Sequence, residues 1–233
     1  MRFAAKDLLA IWEQGQTRHA LDRALLLFAA ACPELPADQL ADRPLGQRNQ
    51  ALLRLRQHSF GPRIVAHADC PDCGDRMELA LRTDAFLSEA AAPDTAAEFE
   101  ADGLRFRAVT SRDLAAVLGH ADAESAALHL LERCCVSRPD TATLRDLLGT
   151  VEAGLESLDP DADIELSLAC ETCGHAWNAP FDIGAMLWDE VDARARALLG
   201  EVHALAGAYG WCERDILALS EQRRAAYLGM VAA

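Results

Sequence analysis

The chain has 233 residues, with 22 basic and 37 acidic side chains and a net charge of −15. A chain of this length buries roughly 70% of the surface it exposes when unfolded, and 51% hydrophobic with 25% charged residues is the balance of a folded domain, not of a disordered chain. The acidity opposes a nucleic-acid backbone as the main partner, because phosphate binding wants clustered Lys and Arg, and Lys6 is the only lysine. The start, MRFAAKDLLAIWEQGQ, lacks a cleavable-signal pattern because Lys6, Asp7 and Glu13 interrupt the apolar stretch. ALLLFAAAC at 24–32 is the longest apolar run and falls short of the ~20 residues that span a bilayer. A cytoplasmic protein with no membrane partner is therefore expected. In a reducing compartment eight cysteines point to metal or redox chemistry, not to disulfides.

Residues 5–31 have helical spacing, with Leu8, Leu9, Ile11 and Trp12, then Leu21, Leu25 and Phe28. Gly15 divides the stretch. A Pro-rich connection at 33–44 leads to a second helix, with Asp42 near its N-cap, Pro44 in its first turn, and a stop near Phe60-Gly61-Pro62. The period then changes. RIVAHAD (63–69) and RMELALR (76–82) alternate as short strands around CPDCG (70–74). An Ala, Pro and acidic loop follows at 88–97. Two alternating runs over 98–109 flank Asp102-Gly103, a pair suited to a type I′ turn. Helices are predicted from Ser111 as cap, over 123–135, and over 142–157. Strand character returns at DIELSLA (163–169), then CETCG (170–174), then HAWNAPF (175–181). Asp182 caps a long helix to about 208, broken by Gly210, and short helices follow at 212–219 and, capped by Ser220, at 221–231.

The strand–CxxCG–strand unit thus occurs twice. In each, the tight turn brings two sulfurs to one side, and the glycine after the second cysteine permits positive φ, so that backbone N–H groups point at the thiolates. Cys70, Cys73, Cys170 and Cys173 together form a closed tetrahedral set suited to structural Zn²⁺. Ninety-six residues lie between Cys73 and Cys170, far more than the usual spacing of about 15–20. A zinc ribbon split by an insertion accommodates that gap. The competing readings are two reduced turns without metal, and a redox dithiol. The latter normally opens a helix, whereas these cysteines interrupt strands. Four thiolates leave no open position for water, and no His-x-Glu precedes either knuckle, as zinc deaminase chemistry would need. His67 and His175 flank the knuckles as substitute ligands or, more simply, as neighbours.

The other cysteines read as packing residues: Cys134 or Cys135 at the end of a helix, and the isolated Cys32 and Cys212. DPDAD (159–163) has a Ca²⁺-like spacing without the rest of an EF-hand loop and reads as a turn. No GxSxG, P-loop, GxGxxG or HExxH occurs, so no enzyme is expected. In the C-terminal segment Trp211, Arg223, Arg224 and Tyr227 have the composition of interface anchors, against a helical pair that merely closes the core.

LLAIWEQGQTRHALDRALLLFAAACPE, ADRPLGQRNQALLRLRQHSFG, the DCPDCGDRMELAL knuckle, RAVTSRDLAAV, CETCGHAW and the closing YGWCERDILALSEQRRAAYLGMV together resemble the small baseplate hub or assembly proteins of contractile (T-even-type) phage tails and contractile injection systems. The cysteines mark a subgroup of that family. The resemblance implies a non-enzymatic role in building the baseplate, with other baseplate or tail proteins as partners. The expected architecture is α+β and mainly helical, in four parts: an N-terminal helical segment (1–61), ribbon halves at 62–83 and 161–181, an inserted hairpin-plus-helices subdomain (84–160), and a C-terminal helical segment (182–233). The rivals are a zinc-ribbon adaptor for nucleic acid or transcription machinery, which the charge opposes, and an enzyme with an unfamiliar site.

Overall fold

The computed structural model describes residues 3–88, 97–136 and 141–231. The loop expected at 88–97 falls outside them except for Ser88 and Ala97. The fold is α+β, with helices dominant and three antiparallel two-stranded sheets among the described residues.

Helices α1 (Ala5–Gly15) and α2 (Ala20–Ala31) form where the apolar residues recur at helical spacing, and they bury Leu8, Leu9, Ile11, Ala24, Leu27 and Phe28. The next helix, α3 (Leu45–Phe60), has Pro44 as its N-cap. Asp42, expected to cap it, lies in a 3₁₀ turn, where its carboxylate accepts from Arg112 at 2.5 and 2.9 Å. An arginine offers two charge-assisted bonds where the helix end offers only amides. Gly61 ends α3 with φ of 89°.

Strands β1 (Arg63–Asp69) and β2 (Arg76–Arg82) pair with Ile64 opposite Leu81 and Ala68 opposite Met77. Strands β3 (Glu98–Ala101) and β4 (Leu104–Arg107) form the Asp-Gly hairpin, with φ of 51° at Asp102 and 76° at Gly103, the two positive values a type I′ turn requires. Helix α4 (Ser111–Val117) begins one residue earlier than the sequence implies. Thr110 is the cap, in a capping box with Asp113, and Ser111 sits inside the first turn, accepting from the Arg48 guanidinium at 3.1 Å. Asp113 is fully buried and also accepts from Arg107 at 2.7 and 3.0 Å and from Arg133 at 3.0 Å.

After α5 (Ala123–Cys134), the helix expected over 142–157 is two, α6 (Thr141–Asp146) and α7 (Leu148–Leu158). At Leu147, with φ −94° and ψ −2°, the N–H bonds the Leu144 carbonyl three residues back, which interrupts the i→i−4 ladder. Strands β5 (Glu165–Ala169) and β6 (Ala176–Pro180) follow. The long α8 (Ile183–Tyr209) is capped by Asp182, whose carboxylate accepts from the Ala185 N–H at 3.1 Å. It ends at Gly210 in the left-handed region, and α9 (Glu213–Ala218) and α10 (Glu221–Val231) complete the chain.

One core joins α1, α2, α3 and α8, the two ends of the sequence. Leu27, Phe28, Leu52, Leu187 and Val191 are fully buried in it, each contributing about 1.5–3 kcal/mol. A second, smaller core unites the β3–β4 hairpin with Leu128, Leu131, Leu144 and Val151. No described helix is long and apolar enough to cross a membrane.

Candidate metal centre

Both remaining hairpins are rooted beside α8. Arg56, buried on α3, pairs with Glu190 of α8 at 2.7 and 2.9 Å. It also donates to the Gly61 carbonyl at 2.6 Å and to the Arg63 carbonyl at the first residue of β1. The β5–β6 root is tied to α3 by the Asn49 amide, which donates to the carbonyls of Asp161 at 2.9 Å and Ala162 at 3.0 Å. Phe181 then leads directly into α8, and its ring stacks on Phe86 at 5.2 Å, joining the two roots. Each base is closed by a backbone bond, Thr83 N–H to Pro62 at 2.9 Å and Phe181 N–H to Ile164 at 2.7 Å. Along each hairpin exposed residues alternate with half-buried apolar ones, Met77, Leu79 and Leu81 in β2 and Leu166, Leu168 and Trp177 in β5 and β6.

The tips are two copies of one turn. The Cys70 N–H bonds the Asp75 carbonyl at 2.8 Å and the Gly74 N–H bonds the Cys70 carbonyl at 2.9 Å. Cys170, His175 and Gly174 repeat this at 2.8 and 2.9 Å. Gly74 and Gly174 have φ of 74° and 75°, a conformation that costs a residue with a Cβ. A bond between the tips, from the Thr172 hydroxyl to the Asp75 carboxylate at 2.6 Å, fixes one turn against the other.

The four Sγ atoms lie within 4.8 Å of one another. Two separations cross between knuckles at 3.6 Å for Cys70–Cys173 and 3.7 Å for Cys73–Cys170. A tetrahedral ion with metal–sulfur bonds of about 2.3 Å places its sulfurs ~3.8 Å apart, so the donor set fits such an ion. Cys70 and Cys170 are buried, and Cys73 and Cys173 are exposed. Backbone amides aim at the sulfurs, as the knuckle geometry implies. Bonds from the N–H groups of Cys173 and Thr172 bring the Cys170 thiol down to about 7. The His175 N–H favours the Cys173 thiolate, but desolvation and the thiols of Cys73, Cys70 and Cys170 outweigh it and push Cys173 up to about 12. Cys73 is raised as well, the Asp75 N–H being outweighed by desolvation and neighbouring thiols. One sulfur ionises readily and its neighbours then resist, as like charges at close range must. A divalent cation among them reverses that repulsion. A tetrahedral set of four thiolates selects zinc or iron–sulfur chemistry over hard cations.

His67 and His175 stand outside the donor set. The His67 ring is exposed, 4.0 Å from the Glu78 carboxylate, and the His175 ring stacks on Trp177 at 5.8 Å. Among the described residues no other group of three or more His, Cys, Asp or Glu converges in this way. Burial drives the Cys134 thiol up to about 12, making it an inert core residue, and it raises Cys32 as well. Cys212 is exposed, not packed. It forms the N-cap of α9, and its thiol helps hold the Asp215 carboxyl below its ordinary value.

The C-terminal residues with the composition of interface anchors divide. Arg224 is buried, donating to Glu201 at 2.7 Å and to the Leu219 carbonyl at 2.6 Å. It serves to hold α10 on α8, because a buried guanidinium needs its charge and donors satisfied. Trp211 and Tyr227 pack edge to face at 4.8 Å, with Tyr209 stacked on Trp211 at 4.8 Å. Arg223 is exposed. Sequence reasoning missed Arg56 and Asp159. Asp159 in the DPDAD turn is buried, and its Oδ2 accepts from the Gly46 N–H at 2.9 Å across 113 positions of sequence, a contact with no local signature. No family model, curated protein or solved structure matches the chain.

Proposed function

We propose that the protein is a non-enzymatic assembly component in which one zinc ion, held by Cys70, Cys73, Cys170 and Cys173, locks the β1–β2 and β5–β6 hairpins together. The observation that carries this reading is the closed four-thiolate arrangement, with cross-knuckle separations of 3.6 and 3.7 Å and both hairpins rooted beside one helix. Such a site keeps no position open for water or substrate. Bound zinc supplies cross-linking free energy to the fold, since metal binding by a site absent from the unfolded chain is folding free energy. The sequence resemblance to baseplate-associated proteins supports a contractile tail or injection-system baseplate as the machine being assembled, with its tail proteins as partners.

Elemental analysis with thiol counting tests the metal. One zinc per chain, with four of the eight cysteines unreactive until a chelator is added, is the expected result, and iron or no metal overturns it. Deleting the gene in its host tests the function. Electron microscopy is expected to show tails without complete baseplates, and normal contractile particles would refute the assembly role. Zinc-dependent turnover of a substrate by the purified chain would equally refute a non-enzymatic reading.

A further inference from the structure

On the helical side of the molecule, α4, α5, α7 and the turn before β5 enclose a groove of about 750 Å³. That volume is within the range of sites that engulf a ligand's side chains. Its floor is apolar and half-buried, formed by Val109, Leu114, Leu130 and Leu155, with Leu45 buried at the base. Leu118, 58% exposed, continues the row one turn beyond Leu114. The rim is made of carboxylates. Glu152 and Glu156 flank Leu155 on one face of α7, because residues three and four apart share a face, and Asp163 and Glu165 face them from the segment entering β5. All four rim carboxylates are exposed, and among the described residues no Lys or Arg lines the groove. Among the described residues Glu152, Glu156 and Asp163 make no ion pair, and the contact of Glu165 is with the Asn178 amide at 3.1 Å. Several other acidic groups of this chain are paired with arginine, as at Asp113, Glu190 and Glu201. Here an apolar floor is ringed by charge of one sign.

We infer that this groove docks a basic amphipathic helix of a partner protein, its apolar residues seated on the leucines and its Lys or Arg residues meeting Glu152, Glu156 and Asp163. Charge complementarity selects the occupant. Nucleic acid and an anionic lipid surface are repelled by the rim, and a second copy of a chain with net charge −15 brings like charge to like. A helix with apolar anchors at i, i+3, i+4 and i+7 suits a groove walled by helices. The groove uses none of the cysteines, so it stands or falls separately from the zinc and baseplate reading.

The test is titration of the metal-loaded protein with a synthetic helical peptide carrying Leu at i, i+3, i+4 and i+7 and Lys elsewhere, and with a twin in which every Lys is Glu. The Lys peptide is expected to bind saturably, one per chain, and the Glu twin not at all. The double variant Glu152→Lys/Glu156→Lys, at exposed helix positions, should raise Kd about tenfold or more and admit the Glu twin. The control Glu13→Lys/Asp22→Lys, on α1 and α2, makes the same change in net charge outside the groove and should alter Kd less than about twofold. Leu114→Ser should weaken binding while thermal melting confirms the fold. Absence of saturable binding, equal loss in the control and the rim variant, or unchanged affinity in both the rim and floor variants would overturn the inference.

Discussion

Replacing Cys170 by Ser removes one of four sulfurs and leaves a site that holds a tetrahedral ion poorly. The cost follows from chain geometry. On the proposed zinc reading the ion closes a loop from Cys73 to Cys170, 97 positions apart, and cross-linking a loop of ~100 residues removes unfolded-state entropy equivalent to about 4.7 kcal/mol. Each knuckle retains two thiolates in the unfolded chain and holds metal weakly there, so about 3–5 kcal/mol of that stabilisation is expected to be lost. For a domain of this size 1 kcal/mol shifts Tm by about 2–4 °C, which places the fall at roughly 6–20 °C. The assay is calorimetric melting of metal-loaded wild type, chelated wild type and Cys170→Ser. Chelation should lower the wild-type Tm to that of the variant and leave the variant unmoved. The helical core lies elsewhere, so all three should retain their far-UV helix signal. A wild-type Tm indifferent to chelator, or a variant that melts with metal-loaded wild type, would refute the cross-link.

Asp113→Ala should destabilise by about 3 kcal/mol in urea, since it leaves Arg107 and Arg133 facing a vacated buried site. Burial raises the Asp113 carboxyl, but bonds from Arg107 and Thr110 outweigh it and hold the group below its ordinary value. The folded value is therefore the lower one. Its contribution is complete above the unfolded pKa near ~3.9 and is lost as pH falls through the folded value. Asp113→Asn should flatten the acid limb of stability below about pH 4, and an unchanged limb would contradict the assignment. Two glycines of α7 should respond with opposite sign. A Cβ on Gly154 would lie 2.1 Å from the Phe99 ring whereas one on Gly149 meets nothing within 4 Å, so Gly154→Ala should cost about 1–3 kcal/mol by overpacking and Gly149→Ala should gain up to about 1 kcal/mol. Equal melting of the two would refute the close approach. Arg56→Gln should cost about 2–3 kcal/mol, less than a fully buried pair because Glu190 is 28% exposed. It should also weaken zinc affinity in competition with a chromogenic chelator, because the β1 root loses its tie to α8. Unaltered affinity would show that the root does not position the thiolates.

The knuckles were legible because their chemistry is local: C-x-x-C-G encodes turn, donors and positive φ within five residues, and the flanking alternation sets the hairpin register. Asp102-Gly103 was legible for the same reason. The caps were not. Asp42 and Ser111 have the right side chains at nearly the right positions, but Arg112 captures the first and Thr110, with Asp113 three residues on, outcompetes the second. Arg224 has the composition of a surface anchor, and only the placement of Glu201 beneath it makes it internal. Arg56 and Asp159 are likewise defined by partners more than a hundred residues away in sequence, which no local period reports. The convergence of the two half-sites was an inference from stoichiometry, four sulfurs for one tetrahedron, and the hairpin roots beside α8 supply its geometric basis.

Splitting the donor set across the chain also sets a schedule for synthesis. Translation proceeds at about 5–20 residues per second, so Cys170 leaves the ribosome's catalytic centre roughly 5–20 s after Cys73. During that interval the nascent chain presents a half-site, two thiolates with coordination positions to spare. Two neighbouring nascent chains then hold, between their first knuckles, the same four sulfurs that a finished chain supplies alone. On the proposed zinc reading, timely folding of α8, which brings the second hairpin to the first, decides whether the ion is captured within a chain or between chains.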